Sequence, residues 1–233
     1  MTDNLVPQDV SHAGISLLLP PWWGIVLAGA SMRQDVGLAA SRLVPEAPGT
    51  DLRTLRARAA TQILGSLQGM VQYGLLAWLY EAEPLADVRT GASLVVLPMP
   101  SVEGVRPIDA VLALAIQEDD VHVAEEKGRV VVRFSSSETI GQELQDMFLA
   151  QLEEAGQDQD DKERMLSVLA AAKGVQALYF AGDPESDQDW LCVLGMVAVP
   201  DTEIGVELRE AVIELFDQIV RSVRIGQEAA APG

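Results

Sequence analysis

The stretch that most limits what this chain can fold into is residues 175–225, where a strand too apolar to face water runs straight into a one-sided helix. Residues 175–180 read Val-Gln-Ala-Leu-Tyr-Phe, an acidic turn occupies 182–189, and residues 190–199 return as Trp-Leu-Cys-Val-Leu-Gly-Met-Val-Ala-Val. Two such runs around a turn predict a β-hairpin. Pro200 and Asp201 stop the second strand, and a helix is expected over 203–225. Its apolar positions Leu208, Val212, Leu215, Phe216, Ile219 and Val223 lie three or four apart and so share one face. The pattern predicts a sheet with that helix packed across it.

The rest of the chain supplies more strands joined by short turns. Strands are expected at 14–19 and 24–27, the second lying beside the first, and at 74–81 and 90–98 as an antiparallel pair. Two more follow at 121–124 and 128–134. In the last of these Val130, Val132 and Phe134 alternate with Arg129, Val131 and Arg133, which predicts one wetter face. Helices are expected from a Ser31 cap to Leu43, over 52–72 after the Asp51 capping signal, and over 108–117 behind Pro107. Leu52, Leu55, Ala59, Ile63, Leu67, Met70 and Val71 are the expected apolar face of the second. Residues 138–154 and 164–172 also read as helical, separated by an acidic break at 156–163.

The predicted fold class is therefore α+β, a mainly antiparallel sheet with helices packed on its faces. The expected organisation is a flexible leader at 1–13, one domain over 14–226 with a helical insertion at about 135–173, and a disordered tail at 227–233. Apolar residues make up 48% of the chain and aromatic ones only 5%, so Val, Leu, Ala and Ile must fill the core.

Charge narrows the partners. Sixteen Lys and Arg against 35 Asp and Glu give a formal charge of −19, which repels phosphate backbones and anionic lipid alike. Neither nucleic acid nor membrane is an expected partner. The apolar run at 15–30 ends in Ala-Gly-Ala like a cleaved leader, but Asp3 and Asp9 precede it, no Lys or Arg does, and Pro20, Pro21 and Gly24 interrupt it. Cys192 is the only cysteine, which fits a reducing compartment, and a cytoplasmic setting is expected.

Chemistry-bearing motifs are sparse. The sequence has no phosphate-binding loop, dinucleotide turn or nucleophile elbow. His12 sits in the polar leader, and His122 alternates with valines as a structural or solvent-facing residue would. Cys192, between Leu191 and Val193, lacks the electropositive setting of a reactive thiol. Asp183, Glu185, Asp187 and Asp189 alternate like the start of a calcium loop, but Gln188 stands where the turn wants Gly and Leu194 where the closing Glu belongs. Asp158, Asp160 and Asp161 fail the same test. No catalytic residue, metal site or cofactor is assigned. Trp22 and Trp23, after Pro20 and Pro21, are the candidate partner-binding residues, weighed against plugging one end of the core.

The strand that ends in Leu19-Pro20-Pro21-Trp22-Trp23 and the run Thr90-Gly91-Ala92-Ser93-Leu94-Val95-Val96-Leu97 resemble uncharacterised actinobacterial proteins. Residues 190–199 and 208–224, with Leu215-Phe216-Asp217-Gln218-Ile219-Val220, resemble the same group. Those proteins are similar to the PsbP-like fold, shared with a photosystem II extrinsic subunit and a Ran-binding import factor, and several are encoded near type VII secretion genes. The resemblance implies an antiparallel sheet between helices and a binding or assembly role. The helical reading of 135–173 departs from it.

Three functions are expected from different classes. The first is a non-enzymatic protein-binding or accessory protein linked to type VII secretion. The second is a small-molecule binder or hydrolase with a pocket between sheet and helices near Asp217 or His122. The third is an immunity protein whose acidic surface masks a basic toxin. A homodimer would be supported by an exposed Trp pair or by the inserted helices.

Overall fold

A computed structural model describes residues 6–10, 15–44, 51–84, 89–101, 103–118, 120–126, 128–139, 172–200 and 202–225. The strands are β1 (Val6–Val10), β2 (Ile15–Leu19), β3 (Trp23–Leu27), β4 (Ala77–Glu81), β5 (Ser93–Pro98), β6 (Val121–Glu126), β7 (Arg129–Thr139), β8 (Ala172–Gly182), β9 (Leu191–Pro200) and β10 (Arg224–Ile225). The helices are α1 (Met32–Leu43), α2 (Leu52–Val71), α3 (Pro107–Ala115) and α4 (Glu203–Ser222). Seven strands form one sheet in the order β3-β4-β5-β9-β8-β7-β6, and β1-β2-β10 form a second. Every pairing is antiparallel. The fold is α+β, as the strand-turn-strand pattern predicts.

The β8–β9 hairpin is the centre of the large sheet, with Ala177 opposite Gly195 and Tyr179 opposite Val193. Its strands are apolar on both faces because both are covered. On one face α4 lies over Leu94, Ala177, Val193 and Val197, and the same core takes in Ile15, Leu17 and Leu19 of β2. Val212, Phe216, Ile219 and Val220 are its buried stripe, so the periodicity of the sequence is realised. Each such side chain contributes about 1.5–3 kcal/mol through burial. Gly195 makes room for Phe216: a Cβ there would sit 2.8 Å from its ring. Thr202 caps the helix by accepting from the Gly205 N–H at 3.1 Å. At the other end, Val223 gives its carbonyl to the Arg129 and Arg224 guanidiniums, cations suited to a helix C-terminus. Ser222 Oγ accepts from the Leu18 N–H at 2.9 Å, pinning β2 to the helix end.

The opposite face is covered in two patches. Over β3, β4 and β5, α1 and α2 bury Val26, Tyr80 and Val95 beneath Val36, Ala39 and Leu67. Over β7, β8 and β9, α3 sets Val111 against Val132, Phe180 and Trp190.

Several expectations change. The leader at 1–13, read as loose, contains β1, which pairs with β2 from Val6↔Leu19 to Val10↔Ile15. The strands at 15–19 and 23–27 are not neighbours: β2 belongs to the small sheet and β3 to an edge of the large one. The helical insertion at about 135–173 is corrected at both ends. Ser135 to Thr139 continue β7, and Lys173 and Gly174 lie in β8, paired from Ser135↔Ala177 to Thr139↔Lys173. The polar Ser-Ser-Ser-Glu-Thr run hides a strand whose partner fixes it. The predicted helices of 140–171, the acidic break there, His12 and the tail at 227–233 fall outside the described residues. The long helix ends at Ser222, and Arg224 and Ile225 turn into β10. In α2 only Leu67 is fully buried, while Leu55 and Val71 of the predicted face are exposed.

Candidate functional site

Each candidate residue has a definite place. Trp22 and Trp23 do not form a shared surface. Trp23 is buried and meets the Phe216 ring edge-on at 6.0 Å, so it is core, and Trp22 is half-buried against the same cluster. The partner-binding assignment is corrected for Trp23 by that burial. Cys192 faces the α3 side of the sheet, and burial raises its thiol pKa. His122 is exposed on β6.

The acidic turn at 182–190 has a structural logic. The Trp190 indole N–H donates to the carbonyls of Asp183 and Ser186, both at 2.9 Å. Gly182 is obligatory beneath that ring, since a Cβ would lie 2.3 Å from it. The Asp183 carboxylate accepts from the Glu185 N–H at 2.8 Å, and Ser186 Oγ donates to Asp189 at 3.3 Å. No group of three or more potential metal ligands occurs among the described residues.

The expected wetter face of β7 is corrected too. Arg129, Val131 and Arg133 point at α4, and that face is covered. Arg133 Nη1 donates to Asp217 Oδ2 at 2.6 Å and the Tyr179 hydroxyl donates to Oδ1 at 3.0 Å. Arg221 Nη2 stands 3.9 Å from the same carboxylate. Burial first, then the Asp217 charge, push the Tyr179 phenol pKa far above its ordinary value. The group ties β7 and β8 to α4. It borders an open cleft of about 570 Å³ that Arg209, Glu210 and Ser135 also line. The cleft lies near Asp217, as one sequence expectation required, and His122 is not among its walls.

Helix α3 is a different kind of site. Pro107 starts it, and Arg106 holds its first turn through two contacts to Asp109, at 2.8 and 2.9 Å. The helix reads Pro-Ile-Asp-Ala-Val-Leu-Ala-Leu-Ala with Ile116 at its end, apolar all round except for Asp109. A helix on a surface ordinarily keeps a polar outer face. Here Val111 is buried, while Leu112 is 50%, Leu114 43% and Ile116 86% exposed. Leu112 and Ile116, four apart, lie one above the other. At its start a hollow of about 420 Å³ is lined by Met99, Val105, Pro107 and Ala110.

Beyond α3 lies β6, the end strand of the large sheet. Its register pairs Val121 with Phe134 and Val123 with Val132, which places Val121 and Val123 on the face α3 covers. Val123 is nonetheless 58% exposed, because the short helix does not reach it. Sequence reading finds the helix and strand but misses this surface. The signal is present: residues 108–116 lack the polar side that a solvent-facing helix of three-to-four periodicity ordinarily shows.

No family model matches the sequence, and no curated protein matches it. Two solved structures are similar: a point mutant of the protein Mog1, and the Saccharomyces cerevisiae Ran-binding protein Mog1p in a crystal structure. Each is 12% identical with a TM-score of 0.39 over 95% of this chain, covering 96% of the first and 95% of the second.

Proposed function

We propose that this chain is a protein-binding module without catalytic function, and that it engages its partner through the apolar surface of α3 and the adjoining edge strand β6. The observation that carries the reading is the exposure of Leu112, Leu114 and Ile116 on a helix with almost no polar face. Leu112 and Ile116, one turn apart, share a face, and grouped exposed apolar surface marks an interaction site far more often than scattered single residues do. Around it the chain is acidic, with exposed Glu103, Glu118 and Asp120. A cytoplasmic setting belongs to this proposal through the single cysteine and the interrupted apolar run at 15–30, and an accessory role in type VII secretion through the sequence resemblance alone. The immunity reading is a special case in which the partner is a basic toxin.

The test is affinity capture from the cells that make the protein, using the wild-type chain and Leu112→Asp/Ile116→Asp. The proposal expects a partner retained by wild type and lost by the variant, with both chains equally folded by circular dichroism. Partners retained equally by both would refute the α3 assignment. Recovery of partners unrelated to secretion would remove the secretion role and leave the binding role.

The cleft beside Arg133 and Asp217 favours a second reading, a small-molecule site. Arg133 Nε is buried there without an acceptor among the described residues. A thermal-shift screen of charged metabolites, repeated on Arg209→Ala, separates the two readings: stabilisation lost in that variant supports a ligand site.

A further inference from the structure

Resting on the docking reading above, we propose that the partner segment binds as an added β-strand along β6, and that it carries basic residues next to apolar ones. Four observations converge. First, β6 ends the sheet, and among the described residues no strand pairs with the outer edge of residues 121–124, so that stretch offers a row of backbone donors and acceptors. Second, the first four residues of the strand lack the defences edge strands ordinarily carry, its charges being confined to Glu125 and Glu126. The strand is six residues long, has no proline, and Val121-His122-Val123-Ala124 contains no lysine or other fixed charge. Third, the face an added strand would share is apolar and partly open. Val123 projects on the α3 side, and Ile116 is only five residues from Val121, within about 17 Å along the chain. Alternate side chains of a new strand would meet Val123 and the α3 flank.

Fourth, the charge at the start of the strand is negative. Glu118 and Asp120 precede β6, both exposed. On the neighbouring strand Arg133, opposite His122, is held by Asp217, and Arg129 by the Val223 carbonyl. A strand with Lys or Arg beside Glu118 and Asp120 and Val, Ile or Leu along residues 121–124 matches this edge in backbone, apolar surface and charge. A second copy of the chain matches it poorly, because each copy brings a formal charge of −19 to the contact.

The experiment uses the full chain and a displayed library of random twelve-residue peptides, selected in parallel on wild type and on Val123→Asp. Expected is enrichment, on wild type only, of sequences with alternating apolar residues, at least two Lys or Arg, and no proline in their centre. The best peptide is then synthesised with and without N-methylation of alternate backbone amides. N-methylation keeps charge and side chains but removes strand pairing, and it should weaken binding by about thirtyfold or more, as removal of a hot spot does.

Peptides that bind equally well when N-methylated, yet are lost on Ile116→Asp, would overturn strand addition while leaving the α3 docking face intact. Peptides with helical apolar spacing would do the same. No enrichment over Val123→Asp, or a concentration-dependent dimer of the chain dissolved by Val123→Asp, would overturn the proposal outright. Loss of capture in Leu112→Asp/Ile116→Asp, measured separately, tells whether the broader docking reading fails with it.

Discussion

Helices α3 and α4 pack on opposite faces of the same sheet, and they spend their apolar residues in opposite ways. In α4 the apolar stripe is completely used: Phe216, Ile219 and Val220 show no exposure, and after Ile204 and Val206 in the first turn the exposed positions are the acids Glu207, Glu210 and Glu214. In α3 one residue, Val111, is fully buried, while Leu112, Leu114 and Ile116 face water. The first is what a scaffold element looks like, since everything apolar in its stripe has a partner inside the chain. The second carries more apolar surface than the chain itself can cover. Stability should therefore reside with α4 and recognition with α3.

The contrast can be broken most severely at Phe216. Phe216→Ala removes a ring that touches Trp23 and fills the space over Gly195, and it should cost about 3–5 kcal/mol in urea unfolding. A loss below about 1 kcal/mol would mean that α4 is not the keystone.

Next comes the ionic tie beneath α4. Arg133→Met leaves Asp217 mostly buried with Tyr179 and a distant Arg221, and should cost about 3 kcal/mol. The double change Arg133→Met/Asp217→Leu should recover most of that loss, because the penalty lies in the stranded charge. Equal destabilisation by single and double variants would show packing, not charge, to be responsible.

Tyr179→Phe is milder, about 1 kcal/mol at neutral pH from one lost hydrogen bond. Its signature is at high pH. The folded-state pKa of Tyr179 is raised by burial and Asp217, so the protonated phenol is favoured in the folded chain. That stabilising contribution is complete below the ordinary phenol pKa of about 10 and is lost as pH rises from there toward the folded value. Between about pH 10 and 12 wild type should lose stability more steeply than Tyr179→Phe. Parallel curves from urea melts across that range would contradict the assignment.

The smallest expected effect on stability sits at α3. Leu112→Asp/Ile116→Asp should change unfolding free energy by only about 0.5 kcal/mol for each exposed site while abolishing partner capture. A large destabilisation would place α3 with α4 and erase the distinction.

How much of this was legible in the sequence follows from where the information is stored. The β8–β9 hairpin and α4 were readable because turn chemistry, strand composition and helical spacing are local. The separation of β2 from β3 was not, since it depends on which sheet captures each strand after Pro20 and Pro21 turn the chain. Ser135 to Thr139 looked unlike a strand because their partners in β8 fix their conformation and their composition does not. The Trp22-Trp23 pair attracted a binding role by residue type, whereas Trp23 serves the core. Arg133 and Asp217, 84 positions apart, meet only once α4 crosses β7. The exposed face of α3 was visible in principle, as a helix without a polar side, and its meaning required the exposure of each residue.

The most direct test of the central claim is amide hydrogen exchange across the whole chain, free and saturated with a captured partner or the selected peptide. The account predicts slowed exchange confined to β6, Val121–Glu126, and to the residues of α3, with α4 and β9 unchanged because they are already closed. Protection that appears instead along α4 or around the Arg133–Asp217 cleft, with β6 exchanging as in the free chain, would contradict it.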